Sequence, residues 1–120
     1  MSLTPYLTPP YYVVIFSSRR TPGDNGYGAM ADRMGHLAAQ QPGYLGFESV
    51  RNADGIGVTL SYWDSPESIR AWKDQAEHTV AQEIGLTRWY EHYEVRVARV
   101  ERAYSGPGDA RHPTAWDIAD

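Results

Sequence analysis

Residues 44–67 read YLGFESVRNADGIGVTLSYWDSPE, and this stretch decides the fold. Tyr44–Arg51 and Ile56–Trp63 are short runs rich in aromatic and β-branched residues, the composition of strands. Between them lies Asn52-Ala53-Asp54-Gly55, a short glycine-containing loop that predicts an antiparallel hairpin. Asp64-Ser65-Pro66-Glu67 then opens a helix. Ser65 is a capping residue, Pro66 suits the first helical position and Glu67 complements the positive end of the helix dipole. The helical pattern runs to about Glu83, Gly85 breaks it, and Leu86–Glu91 reads as one further turn.

Upstream, Pro42-Gly43 stops an earlier helix. In it Tyr27, Met30, Ala31, Met34, Leu37 and Ala38 recur with helical spacing on one face, and Asp24 or Asn25 is placed to cap its start. Before it, Tyr11–Ser18 (YYVVIFSS) is an apolar strand. Downstream, Tyr93–Tyr104 alternates Tyr93, Val95 and Val97 against Glu94 and Arg96, the pattern of a long strand. The order β-α-β-β-α-β is the ferredoxin-like α+β plan, an antiparallel sheet with both helices on one face. The domain spans residues 11–104, and residues 1–10 and 105–120, rich in Pro, Gly and Asp, form irregular terminal arms.

In the first strand Tyr11, Val13 and Ile15 face one way, and Tyr12, Val14 and Phe16 face the other. One helix layer covers one face only. The other apolar face calls for a second cover, and a second copy of the same sheet supplies it, so the pattern predicts a homodimer.

At 120 residues and 13.5 kDa the chain suffices for one core. It has no cysteine, which excludes disulfides, thiolate metal sites and cysteine nucleophiles. The net charge is −4, and the 11 basic residues are scattered, so the basic face of a nucleic-acid binder is missing. The opening Met1–Ser18 is too polar for a membrane span and lacks the basic start of a secretory leader, so a cytoplasmic protein without a membrane partner is expected. His36, His78, His92 and His112 show no metal-ligand spacing, so no metal is expected. Ser17 and Ser18 have no His-Asp partners at hydrolase spacing. Gly23-Asp-Asn-Gly26 reads as a turn rather than a phosphate cradle.

Gln41-Pro-Gly-Tyr-Leu-Gly-Phe-Glu-Ser49 resembles the antibiotic biosynthesis monooxygenase domain family. So do Ser61-Tyr-Trp-Asp-Ser-Pro-Glu-Ser-Ile-Arg-Ala-Trp-Lys73, the Glu77-His78 pair, and Trp89-Tyr90 leading into the last strand. The order and spacing match across about residues 11–104. The resemblance implies a dimeric α+β barrel. Some family members oxidise aromatic polyketides with O2 and neither metal nor flavin; others bind haem and open its ring. The haem-degrading members carry an Asn on the first strand, a Trp on the second helix and a His that ligates iron. Here Trp72 and His78 are present, but the first strand offers Phe16, Ser17 and Ser18, and the nearest Asn is Asn25. For the cofactor-free members, Asn52, Trp63 or Trp72, Tyr62 and Arg96 are counterparts of the Asn, Trp, Tyr and Arg around a phenolic substrate.

The leading expectation is a cofactor-independent monooxygenase for a small planar aromatic or quinol-like substrate. The alternatives are a haem-binding, haem-degrading enzyme, with haem as its cofactor, and a small-ligand-binding dimer without turnover. The expected base is His78, with Trp72, Tyr62 and Trp89 as pocket walls and Arg96 as an anion partner. These aromatics equally suit plain core packing, and Arg96 equally suits a solvated edge or a dimer salt bridge. The His78 role carries a condition. On an unbroken helix Ile69, Trp72, Ala76 and Val80 share one side and His78 points to solvent. A break near Lys73–Gln75 is needed to aim it inward.

Overall fold

The computed structural model describes residues 3–83 and 88–106. Its elements are β1 (Tyr11–Arg20), α1 (Tyr27–Ala39), β2 (Tyr44–Arg51), β3 (Ile56–Trp63), α2 (Pro66–Glu83) and β4 (Tyr90–Val100). The strands form one antiparallel sheet in the order β2-β3-β1-β4. The ferredoxin-like α+β plan is thus the observed one.

Local chemistry explains the joints. Asn52 turns the hairpin: its Oδ1 accepts the N–H groups of Asp54 and Ile56, both at 3.0 Å, and Gly55 supplies the left-handed residue with φ +86°. Ser65 caps α2, its Oγ accepting the Ser68 N–H at 3.1 Å. Asp24 does the same work for α1 by accepting the N–H groups of Gly26 and Gly28. The Leu86–Glu91 turn expected from the sequence falls partly outside the described residues.

Three strand boundaries differ from the sequence reading. β1 runs on to Arg20, and β4 begins at Tyr90 and ends at Val100. The cause of the earlier start is a register shift between Arg19 and Arg20: Arg19 pairs with His92, whereas Arg20 pairs with Tyr90. One extra residue on β4 puts Tyr90 and Tyr93, three apart, on the same face, which simple alternation forbids.

The register sorts every strand residue onto one of two faces. Tyr12, Val14, Phe16 and Ser18 face the helices, with Trp63, Ser61 and Thr59 of β3 and Tyr93, Val95 and Val97 of β4 beside them. Beneath the helices the core divides in two. Ala38, Trp63 and Ile69 form one cluster, with Tyr12, Val14, Tyr44 and Trp72 against it. Met30 and Trp89 form the other, with Tyr27, Met34 and Tyr90.

Tyr11, Val13, Ile15, Leu60, Tyr62, Glu48 and Val50 face away from the helices. Residues 3–10 cross one end of this outer face without regular structure. The Thr4 N–H donates to Glu48 Oε2 at 2.8 Å, and the Tyr6 hydroxyl donates to the Ala103 carbonyl at 3.2 Å. Under this arm Tyr11 and Val13 are buried. At the hairpin end of the same face Val50, Ile56 and Val58 stay open, Val50 with 60% of its surface exposed.

Candidate active site

Phe16 lies at the centre of the helix-facing side of the sheet. Its ring stacks on Tyr93 with centroids 5.4 Å apart and planes 16° apart, and meets Tyr90 edge-on at 5.2 Å. Tyr27, at the start of α1, stands perpendicular to Tyr90 at 5.8 Å. The helices make their main sheet contacts with β2 and β3. The β4 side of this face therefore stays open, and Tyr93, Val95 and Val97 remain exposed, Val97 at 56%. The result is an open aromatic and aliphatic floor beside the helix layer.

A polar cluster closes one end of the floor. Arg51 Nη2 donates to Ser18 Oγ at 2.9 Å and to the Tyr27 hydroxyl at 3.4 Å, and Nη1 donates to the Gly55 carbonyl. The Tyr90 hydroxyl donates to that of Tyr27 at 3.4 Å. Arg20 lies with its guanidinium carbon 3.7 Å from the centre of the Tyr27 ring and donates to the Trp89 carbonyl at 2.9 Å. All of these partners are neutral. Two guanidinium charges thus flank Tyr27, and no carboxylate among the described residues meets either. Burial pushes the Tyr90 phenol well above its ordinary value, and the bond to Tyr27 adds to this. Tyr90 is consequently a hydrogen-bond donor at neutral pH and not a base.

Trp89 is a peg rather than a wall. It is almost wholly enclosed, its indole N–H donates to the Asn25 carbonyl at 3.0 Å, and its own carbonyl takes the Thr21 N–H. These bonds tie the β1–α1 loop to the start of β4.

The structure separates the residues that the sequence grouped as one pocket. Tyr62 and Trp63 are neighbours on a strand, so they point to opposite faces, and Tyr62 lies on the outer one, donating to Glu48 Oε1 at 2.7 Å. Trp72 and Trp89 are both on the helix side but belong to different clusters. Arg96 pairs with Ile15 on the outer face and is bonded to Glu94. α2 is continuous through Asp74, and His78 is exposed on it. The break that would aim His78 inward is absent, so nothing brings its ring to Trp72. Conversely, the sequence predicts no site role for Arg51, Ser18 or Tyr27, which the structure brings together. Arg51 and Ser18 both pair with Gly57 of β3, and alternation along single strands does not give that register.

Haem would need an axial ligand here. His36, His78 and His92 are all exposed, and His92 faces Glu94 on the outer side, so the described histidines do not fit that role. Among the described residues no cluster of three His, Asp or Glu side chains is placed to hold a metal, and no helix is long and apolar enough to cross a membrane.

Comparison with known proteins agrees with this architecture. YqjZ, an uncharacterized protein of Bacillus subtilis, is 57% identical over 102 residues, covering 85% of this chain and 88% of its own. SnoaB, a cofactor-independent oxygenase from Streptomyces nogalater, superposes with a TM-score of 0.62 over 83% of this chain and 100% of its own, at 13% identity. Protein SO0527 from Shewanella oneidensis gives a TM-score of 0.66 over 78% of this chain and 94% of its own, at 10% identity. Residues 27–84, from the first turn of α1 to the end of α2, match the family model described as antibiotic biosynthesis monooxygenase. With the sheet order and helix placement described above, the chain belongs to the antibiotic biosynthesis monooxygenase family.

Proposed function

We propose that the protein is a cofactor-independent monooxygenase acting on a small planar hydroxyarene or quinol-like substrate. The observation that carries this is the aromatic floor of Phe16, Tyr90 and Tyr93 ending at Arg51, whose charge meets only neutral partners among the described residues. A planar ring stacks on such a floor, and a phenolate oxygen at its edge meets a guanidinium. Stabilising the phenolate raises the fraction of substrate able to reduce O2. Oxygen then adds at a ring C–H carbon conjugated with the phenolate to give a hydroperoxide on a carbon that keeps its hydrogen, and loss of water leaves a carbonyl. One oxygen atom ends in the product and one in water, and the substrate supplies all four electrons. The protein orients the substrate and holds its charge. In this reading Arg51 takes the anion-holding part expected of Arg96, with Tyr27 and Ser18 as positioning residues.

The active form is a homodimer joined through the outer faces. Val50 and Val58 are cross-strand partners there and, with Ile56, leave an apolar patch open beside the part that the arm covers.

The test is O2 uptake by anthrone and by substituted hydroquinones, with and without the protein, in the presence of a metal chelator. Faster uptake than in buffer, reduced about tenfold or more in Arg51→Gln, is the expected result. Uptake at the buffer rate for the whole panel overturns the reading. A Soret band saturating at one haem per chain would favour the haem alternative.

A further inference from the structure

We propose that Gly57 is a positioning residue of the anion site: its missing side chain lets the Arg51 guanidinium lie across β3 toward the aromatic floor. The inference rests on the reading of Arg51 as the holder of the substrate's charge, and adds the residue that sets where this charge stands. Gly57 and Arg51 lie on the helix-facing side of the sheet, opposite the outer faces through which two copies join.

One row crosses the sheet at this level. Arg51 on β2 pairs with Gly57 on β3, Gly57 pairs with Ser18 on β1, and Ser18 pairs with Tyr93 on β4. Neighbouring strands are about 4.8 Å apart, so the Arg51 and Tyr93 backbones are separated by about 14 Å. The guanidinium closes part of that distance only if the residues between are small. It does close it: Nη2 donates to Ser18 Oγ, two strands away, at 2.9 Å, and the guanidinium carbon is 5.8 Å from the centre of the Tyr27 ring. The charge therefore stands over the middle of the sheet and not over the β2 edge.

The path runs directly over Gly57. A Cβ added there would stand 2.7 Å from Arg51 Cζ, 2.9 Å from Nη2 and 3.0 Å from Nη1, closer than such atoms pack. These are its three nearest atoms, so the guanidinium fills the space that a side chain would take. Gly57 is buried inside β3 and lacks the positive φ of Gly55. Its backbone thus gives no reason for glycine, which weakens the interior of a strand. The close approach of Arg51 does give one. In Gly57→Ala the guanidinium, as the far end of a flexible side chain, swings back toward β2 and leaves Ser18, while the strand stays as it was. The ionised oxygen of a substrate on the floor then loses its partner, and the uncharged ring loses nothing.

The experiment measures the pKa of 2-naphthol bound to the full chain, from the red shift of its absorption on ionisation. The wild type should lower that pKa by about one unit or more, which is a tenfold preference for naphtholate over naphthol. Gly57→Ala should lose most of this shift, as Arg51→Gln does, and keep the affinity for neutral naphthol within about twofold. It should melt no lower than the wild type, because alanine in place of a strand glycine restricts the unfolded chain. In the double variant Gly57→Ala with Arg51→Gln, the loss of the shift should be no greater than in either single variant. A full shift in Gly57→Ala beside a full shift in the wild type would overturn the role of Gly57 and leave the Arg51 reading standing. No shift in the wild type would remove the anion site and the role of Gly57 with it. A fall in melting temperature on Gly57→Ala that persists in the Arg51→Gln background would show that the glycine serves the strand and would also overturn the proposal.

Discussion

The indole of Trp72 lies over that of Trp63, with centroids 6.1 Å apart and planes inclined by 22°. The two residues differ in burial: Trp63 is wholly enclosed, at 0% exposure, whereas Trp72 is half-buried on the outer side of the stack. Trp63 also makes an edge contact with Tyr44 and donates its indole N–H to Ser61 Oγ. Trp63→Ala should therefore cost about 3–5 kcal/mol, and Trp72→Ala about half as much. Denaturant unfolding of the two variants checks this, and equal losses would show that Trp72 is as fully packed as its partner.

His78 lies on the exposed side of a continuous α2. His78→Ala should change stability by less than ~0.5 kcal/mol and leave O2 uptake and ligand binding as in the wild type. A loss of turnover at unchanged melting temperature would restore the histidine to the mechanism.

The phenols of Tyr62 and Tyr90 are both held above their ordinary value of 10.0, chiefly by burial and then by their hydrogen bonds. For such groups the fold favours the protonated form. Their contribution is fully present below pH 10 and is lost as the pH rises through the folded-state values. Unfolding midpoints should fall steadily above pH 10, and Tyr62→Phe should flatten the fall. A midpoint independent of alkaline pH would contradict the burial of these hydroxyls.

Gly43 and Gly35 should respond oppositely to alanine. At Gly43, with φ +85°, an added Cβ would overlap Ser68 Oγ and Asp64 Oδ1, which are bonded to each other across the turn. Gly43→Ala should destabilise by about 1–3 kcal/mol. Gly35 lies inside α1, and nothing stands within 4 Å of its would-be Cβ. Gly35→Ala should stabilise by about 0.5–1 kcal/mol. Thermal melts of the two variants compare them directly.

Sedimentation should give about twice 13.5 kDa at micromolar protein if the outer faces join. Val58→Glu should shift the protein to the monomer, because it buries a charge between two apolar sheets. A wild-type monomer would leave Val50, Ile56 and Val58 without a cover.

The element order could be read directly from the chain because each joint has its own local chemistry. Asn52 to Gly55 turns the hairpin, Ser65-Pro66 opens α2, and the spacing of Tyr27, Met30, Met34 and Ala38 marks the buried face of α1. Alternation along β1 gave the two apolar faces correctly, and the helical wheel of α2 already put His78 toward solvent. The same alternation also separates Tyr62 from Trp63, so their grouping with Trp72 and Trp89 in one pocket was avoidable. What the chain alone did not determine is the register between the strands. Ser18 and Arg51 are 33 positions apart and meet only because β3 brings β1 and β2 into register. Tyr90 and Tyr93 share a face only because one residue is extra at Arg19/Arg20. The arm over Glu48 and the open side of β4 arise from how separate elements cover a finite sheet, and no local preference encodes that.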